Sequence, residues 1–281
     1  MSTVKACLGA NYTVNLVQMN QNSPIGKNSV WILVEGNDDC KVYPKFFHEH
    51  CKIEQVHGGV AQLEIAVSRL QQYADRIAGI RDADFCHLSN TYSPLKNLFY
   101  TDCHDIEMTM IQDDTVFENI LYEYSLQSDA ANMKQNLLTE ASYVGYIRYY
   151  NEINHCSINF EGISFGDIVL YQGFNLLLEK PLCLQKINQR SPNKTSLLDD
   201  NLVHQFIASN PITDFYQLVN GHDFIKLLAL RINFQISRRI SNNDASKSLR
   251  NTYRIDDFKK TNLYASLLSW QNSNNLNVIK Q

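Results

Sequence analysis

The 281-residue sequence has no run of about 18 consecutive apolar residues, the length that a membrane-spanning helix needs. Its first residues, MSTVKACLGANYTVNL, also lack a charged lead followed by a long apolar stretch. With 44% hydrophobic residues, the chain can still bury a sizeable core. We therefore expect a globular, cytoplasmic protein that makes no use of a membrane.

The seven cysteines are odd in number and scattered, and no two of them are spaced as C-x-x-C. Neither a disulfide framework nor a zinc ribbon is therefore indicated. Two adjacent pairs, Cys86-His87 and Cys103-His104, would form a zinc site only if sequence neighbours pointed at one ion, which they rarely do. We expect free thiols and no structural zinc.

The net charge of −4 does not by itself favour a nucleic-acid partner, but the charge is unevenly distributed. Residues 101–140 contain nine acids and a single lysine, whereas residues 231–260 contain eight bases and three acids. The basic segment predicts a surface that attracts phosphate, and the alternative is that both segments are solvated helix faces. The arginines that we assign to nucleic-acid contact are Arg238, Arg239, Arg250 and Arg254.

Apolar patterns predict strands and helices in alternation between residues 30 and 84. The strands correspond to VWILVEG, CKIEQV and RIAGIRDADF, and the helices follow Asp38 or Asp39 and the turn HGG. This order indicates an α/β fold with a parallel sheet covered by helices. Residues 11–19 (NYTVNLVQM) are predicted to form a further strand before this unit, and LFYTDC a later one.

Beyond the sheet the patterns are mainly helical, so we divide the chain into a domain at 1–130, which includes the N-terminal strand, and a mainly helical region at 131–281. Within the second region SINFEGISFGD is predicted to form a hairpin. Helical patterns recur at 200–208, 222–240 and 257–271.

Acidic residues follow two of the predicted strands. Glu35 ends the first strand of the alternating unit, and Asp82 and Asp84 end the third. In open parallel sheets, ligands bind outside the carboxyl ends of the strands. Carboxylates that converge there repel one another unless they share a proton or bind a cation, and Mg²⁺ prefers such oxygen ligands. The pattern therefore predicts a divalent-metal site suited to an anionic substrate.

The motifs LVEGNDD and GIRDADF resemble the TOPRIM catalytic domain of topoisomerases, primases and nucleases, in which one strand ends in Glu-Gly and a later strand in Asp-x-Asp. Together with HGGVAQL, TDCHDIEM and GHDFIKLLA, they resemble a TOPRIM branch found beside ABC-type ATPases in phage-defence loci. That branch is related to the OLD-family nucleases and includes the AriB effector of the PARIS system. The resemblance covers residues 28–235 and implies a Rossmann-like parallel sheet with flanking helices, so that 1–130 is the catalytic domain.

The resemblance assigns the central roles to four carboxylates. Glu35 matches the glutamate that acts as metal ligand or general acid/base, and Asp82 and Asp84 match the metal-binding pair. Asp39 stands four residues after Glu35, where OLD-type nucleases carry a second acidic ligand.

Further residues are assigned less directly. Asp105 and Glu107 lie where the nuclease branch places acids of a second metal site. His222 and Lys226, in GHDFIK, are candidates for contacting phosphate or the attacking water, although a lysine on the polar side of a helix is commonly only solvated. The mainly helical region is assigned to dimerisation and to contacts with a partner and with nucleic acid.

The resemblance implies a Mg²⁺-dependent endonuclease, with Mn²⁺ able to substitute, that is the toxic effector of an antiphage defence system. Such an effector is held inactive by an ABC-type ATPase partner (AriA-like), is released on sensing a phage protein, and then cuts host tRNA as a homodimer. Two alternatives stay open: a DNA-cleaving OLD-like nuclease, and a non-catalytic TOPRIM module that docks on an ATPase. The residues alone do not distinguish RNA from DNA.

Overall fold

The structure is a computed structural model that describes residues 9–236 and 239–280. Contacts divide the chain into two compact units, and the first contains a four-stranded, all-parallel sheet in the order β2-β1-β3-β4. The strands are β1 Val30–Val34, β2 Cys51–Gln55, β3 Ile77–Arg81 and β4 Leu98–Tyr100. The predicted alternation of strands and helices and the parallel sheet are confirmed, and the architecture is consistent with a Rossmann-like fold.

The two central strands are the most hydrophobic part of the sheet. Every residue of β1 and of β3 is buried, whereas the residues of the edge strand β2 are only half-buried. Continuous apolar runs are typical of parallel strands that helices cover on both faces. Leu33 and Ile77 belong to one core cluster with Leu63 and Val67 of a covering helix, so burial of these side chains fixes the sheet against that helix.

The first unit contains five helices in the part of the chain that the structure assigns wholly to it: α1 Ala10–Gln21, α2 Asp39–Val42, α3 Val60–Arg69, α12 Ile255–Phe258 and α13 Asn262–Ser273. Residues 253–280 therefore return to the sheet unit, and the predicted boundary at residue 130 does not describe the compact units. Hydrogen bonds explain this return: Trp270 Nε1 donates to the Ala74 carbonyl over 3.0 Å, and Asp102 accepts from the backbone N–H of Asn262 over 2.6 Å.

The predicted strand at residues 11–19 is wrong, because this segment lies in helix α1. The buried residues of α1 recur every three or four positions, at Ala10, Thr13, Val14, Val17 and Gln21. That spacing places them on one face of a helix, and the helix packs on the core cluster of the sheet unit.

The second unit spans Glu107–Thr252 together with His87–Ser89. Its longest element is the 25-residue helix α7, Ala130–Asn154. The other elements are α4 Cys86–Ser89 and α5 Ile106–Gln112, which begin at the edge of the unit, and α6 Asp114–Tyr122, β5 Val169–Gln172, β6 Asn175–Leu178, α8 Lys180–Arg190, α9 Asp200–Ser209, α10 Gly221–Gln235 and α11 Asn242–Thr252. The mainly helical character that the sequence predicts here is confirmed.

The hairpin of the second unit lies further along the chain than predicted. SINFEGISFGD contains no strand, and the antiparallel pair is β5 with β6, joined at Gly173 and Phe174. Gly173 has a φ of +60°, which glycine adopts without the steric penalty of other residues.

Across residues 9–236 and 239–280, no helix combines the length and the apolar character needed to cross a bilayer.

Candidate metal centre at the strand ends

The acidic motifs follow the two central strands of the sheet, as the sequence predicts. From β1 the chain passes to β2 on one side and then to β3 on the other, so the strand order reverses between β1 and β3. Val34 pairs with Ile80 at the carboxyl ends of these strands. Glu35 and Asp82, which follow close behind that pair, therefore flank the crevice where open α/β sheets bind ligands.

Glu35 lies at this crevice and has an unusually high pKa. Its carboxylate accepts a hydrogen bond from the backbone N–H of Val60, while its Oε2 atom is buried and has no hydrogen-bond partner among the described residues. Burial, followed by repulsion from Asp84 and Asp39, raises the pKa of Glu35 from 4.5 to about 7. Arg81 and the Val60 N–H lower that pKa but do not offset the rise.

The turn His57-Gly58-Gly59 places the start of helix α3 against Glu35. Gly58 and Gly59 have φ angles of +102° and +77°, which side chains other than glycine rarely adopt. A Cβ atom on Gly59 would lie 3.9 Å from Glu35 Oε1. The glycines thus bring the N-terminus of α3, with its positive end of the helix dipole, to the Glu35 carboxylate.

Asp39 follows Glu35 in the chain, and one oxygen of its carboxylate accepts a hydrogen bond from the intervening backbone. Its Oδ2 accepts a hydrogen bond of 2.8 Å from the Gly36 N–H, and the residue is only 6% exposed. A Cβ atom on Gly36 would lie 3.3 Å from that oxygen. The absence of a side chain on Gly36 therefore lets the Asp39 carboxylate approach the Gly36 backbone. Asp39 also repels the Glu35 carboxylate, so the two residues are electrostatically coupled.

Asp82 and Asp84 are fixed by the segment that follows β4. The Ile106 N–H donates to Asp82 Oδ1 over 3.2 Å, and the Asp84 N–H donates to the His104 carbonyl over 2.7 Å. Asp84 has a φ of +48°, in the left-handed region that aspartate tolerates better than most residues. These bonds bring residues 101–106 beside the Asp-x-Asp motif within the first unit.

Arg81 is a further residue of this site, and the sequence motifs did not predict its role. It ends β3, is 8% exposed, and forms ion pairs with Glu64 Oε1 at 2.7 Å and Asp84 Oδ2 at 3.2 Å. The signal was an arginine at the end of an otherwise apolar buried strand, directly before two acids. Its guanidinium balances part of the negative charge that the motifs bring together.

A hard divalent cation fits the chemistry of this donor set. The side chains offer carboxylate oxygens, the ligands that Mg²⁺ and Mn²⁺ prefer, and the buried Glu35 Oε2 lacks a partner in the described part of the chain. However, no three or more His, Cys, Asp or Glu side chains among the described residues are arranged to hold a metal ion. A bound metal would be held by Glu35 together with Asp39, Asp82 and Asp84.

The two acids that the sequence assigned to a second metal site are both buried and fall on either side of the boundary between the units. Asp105 is 4% exposed and belongs to the first unit, whereas Glu107 is 5% exposed and belongs to the second unit. The four-carboxylate set of Glu35, Asp39, Asp82 and Asp84 lies wholly within the first unit.

His222 and Lys226 lie on α10, which belongs to the second unit. His222 is exposed. Lys226 Nζ is 3.1 Å from Asp223 Oδ1, and the buried Asp223 also binds Arg148 at 2.8 Å. Lys226 therefore has an internal ionic partner, which favours a structural role over phosphate contact.

The described residues of the basic segment are divided between the two units, and part of their charge is buried or paired with acids. Arg250 is 8% exposed, and Lys259 and Lys260 pair with Asp256 and Asp257. Arg239 and Arg254 are exposed but belong to different units, and the predicted contact residue Arg238 lies outside the described residues.

No protein-family model matches this chain, and no curated protein matches it. The resemblance to TOPRIM domains therefore depends on the quoted motifs and on the chemistry of the site that they form.

Proposed function

We propose that this chain is a divalent-metal-dependent TOPRIM nuclease that hydrolyses phosphodiester bonds at the crevice between β1 and β3. The observation that carries the proposal is the state of Glu35, whose pKa of about 7 is set by burial and by two neighbouring carboxylates. A carboxyl group with that pKa can accept and return a proton at neutral pH, which suits general acid/base catalysis. Perturbed groups of this kind cluster at functional sites.

Glu35 and the three aspartates have different roles in this mechanism. Glu35 exchanges a proton with water or the leaving oxygen, and the Val60 N–H and the start of α3 hold its carboxylate in place. Asp39, Asp82 and Asp84 keep the crevice negative, so that it accepts a phosphodiester only together with a cation. A bound Mg²⁺ or Mn²⁺ would stabilise the charge on the attacking and leaving oxygens.

The biological setting that we propose follows from the motif resemblance. The chain would be the toxic effector of an antiphage system, released from an ABC-type ATPase partner and active on host tRNA as a homodimer. DNA is the competing substrate, because the carboxylates recognise the phosphodiester group that RNA and DNA share.

A second candidate function is favoured by Arg81. Its guanidinium already pairs with Asp84, and the described residues offer no ready group of three metal ligands. A TOPRIM module that docks on an ATPase without catalysis would need no metal, because Arg81 and a proton on Glu35 suffice to balance the charge.

Expression of the chain with and without the proposed ABC-type ATPase partner tests both candidates. We expect specific tRNA ends in cells that express the wild-type chain, and none in cells that express Glu35→Gln or Asp82→Asn. Asp75→Asn is the matched control, because Asp75 is exposed and precedes β3 at the opposite end of the strand. Cleavage that persists in Glu35→Gln would contradict the nuclease mechanism. Cleaved DNA with intact tRNA would identify DNA as the substrate.

A further inference from the structure

A cavity of about 580 Å³ opens in the second unit between helix α7 and the hairpin β5–β6. Its volume lies within the range of small-molecule sites. Amide side chains dominate its walls, and a carboxylate, a threonine hydroxyl and an aromatic ring complete them. The lining residues that matter here are Asp129, Asn132, Gln135, Phe174 and Asn175.

Arg231 lies behind two of these lining residues and has unmet hydrogen-bonding capacity. It is 1% exposed, and its Nε, Nη1 and Nη2 atoms have no hydrogen-bond partner among residues 9–236 and 239–280. Its nearest carboxylate oxygen, Asp129 Oδ2, is 3.7 Å away, which is too far for a hydrogen bond. A buried guanidinium is costly unless its donors are satisfied, so an acceptor oxygen brought by a ligand would stabilise Arg231.

Phe174 separates Arg231 from solvent on the cavity side. The Arg231 guanidinium carbon lies 5.9 Å from the centre of the Phe174 ring, and that ring lines the cavity. Phe174 is 66% exposed at the hairpin tip. A rotation of this exposed side chain would bring the guanidinium within reach of a ligand in the cavity while the ring stays at the cavity wall.

The chemistry of these groups restricts the ligand. A guanidinium prefers a phosphate or carboxylate, which it can bind through two parallel hydrogen bonds. A bare oxyanion would be repelled by Asp129, whereas a ligand with hydroxyl groups beside its phosphate would donate to that carboxylate. An exposed aromatic ring offers a stacking surface for a planar base.

We propose that this cavity binds a ribonucleoside monophosphate unit, with its phosphate on Arg231, its ribose hydroxyls on Asp129 and its base against Phe174. The amides of Asn132, Gln135 and Asn175 provide donors and acceptors at the edge of the base. The site lies wholly in the second unit and does not depend on the nuclease activity proposed for the first.

Calorimetric titration of the full-length chain tests this site. The probes are the common 5′-ribonucleoside monophosphates, their 2′-deoxy counterparts, the unphosphorylated nucleosides, inorganic phosphate, and a short RNA with a 5′-phosphate. We expect at least one ribonucleotide to bind, and its deoxy counterpart and nucleoside to bind about tenfold more weakly. Binding of the phosphorylated RNA without binding of free nucleotides would identify an RNA end as the source of the same chemical group.

Variants assign the binding to this cavity. Phe174→Ala should weaken the ribonucleotide about tenfold through loss of stacking, and Asp129→Asn should reduce the preference for ribose over deoxyribose. Tyr122→Ala is the matched control, because Tyr122 is an aromatic residue of the same unit that is 69% exposed and does not line the cavity. Arg231→Met should abolish the phosphate contribution where thermal melting shows that this variant is folded.

Three results would overturn the proposal. The first is that neither ribonucleotides nor phosphorylated RNA bind at millimolar concentration. The second is that affinity is unchanged in both Phe174→Ala and Asp129→Asn. The third is that inorganic phosphate binds as tightly as any ribonucleotide, which would leave only an anion site.

Discussion

Asp84 raises the pKa of Glu35 from the end of the neighbouring parallel strand, so that two residues far apart in sequence share one electrostatic site. Asp84 is itself paired with Arg81, and Glu35 is braced by the N–H of Val60. The site therefore contains more negative charge than its internal cations and donors balance. Either a proton or a divalent cation can supply the missing positive charge.

Glu35 should make the stability of the metal-free protein depend on pH. Because the folded-state pKa is about 7 and the ordinary value is 4.5, the folded chain keeps a proton that the unfolded chain releases between those values. The free energy of unfolding should therefore fall as pH rises from about 4.5 to above 7, by roughly 2 kcal/mol after allowance for solvent screening.

Glu35→Gln should remove that fall and be more stable than wild type at pH 8, because glutamine is neutral in both states. Urea unfolding at a series of pH values measures the effect. Glu49→Gln is the control, because Glu49 is exposed and its replacement leaves the Glu35 contribution in place. Parallel pH curves for wild type and Glu35→Gln would contradict the raised pKa.

Arg81→Gln should raise the pKa of Glu35 above 7, because the guanidinium is one of the groups that lower it. The variant should also lose about 1–3 kcal/mol of stability, since Arg81 is buried between Glu64 and Asp84. Carboxyl-carbon NMR titration measures the pKa directly. Arg76→Gln, which removes a half-buried arginine paired with Asp75 at the opposite end of β3, should leave the Glu35 titration where it is in wild type.

Gly59→Ala should destabilise the fold by about 1 kcal/mol, because the φ of +77° disfavours any side chain. The added methyl group would lie 3.9 Å from Glu35 Oε1 and shield it further from water, so the pKa of Glu35 should also rise. Gly173→Ala is matched in backbone strain, with a φ of +60°, but lies at the hairpin of the second unit. An equal pKa response in both variants would show that strain alone is responsible.

Asp102→Ala should cost about 1–2 kcal/mol by removing the acceptor for the first turn of α13. Its two oxygens accept from the backbone N–H groups of Asn262 and Leu263 over 2.6 and 2.8 Å. Thermal melting measures the loss, with Asp75→Ala as an exposed control. An unchanged melting temperature would show that α13 is held by its apolar packing and not by this cap.

The sheet could be predicted because its two central strands are short runs of mainly apolar residues. The run VWILV is apolar throughout and IAGIR is apolar up to its last residue, Arg81. Acids follow directly after both strands, so the pattern predicted where the strands end and that their acids lie at one edge of the sheet. Helix α1 was not predictable in the same way. Tyr12, Val14 and Leu16 alternate like a strand, and only the burial of Thr13 and Gln21 in the folded protein reveals the helical face.

The sequence predicted which acids follow the strands, but it did not predict which cations pair with acids in the folded chain. Arg81 and Glu64 meet because β3 and α3 pack together, and no local spacing signals that pair. Likewise, periodicity indicates a helix around Lys226 but not that the buried Asp223 engages its ammonium group. Long-range pairing of charges depends on the three-dimensional packing, which the linear pattern does not contain.

The central claim is that the carboxylates at the ends of β1 and β3 bind a divalent cation. Calorimetric titration of the purified chain with Mn²⁺ at pH 8, where Glu35 is mainly ionised, tests it most directly. We predict a carboxylate-dependent binding isotherm that weakens toward pH 6, is lost in Glu35→Gln and in Asp82→Asn, and persists in Asp75→Asn. No heat of binding in wild type, or equal binding in wild type and in Glu35→Gln, would contradict the metal site and leave the docking module as the better account.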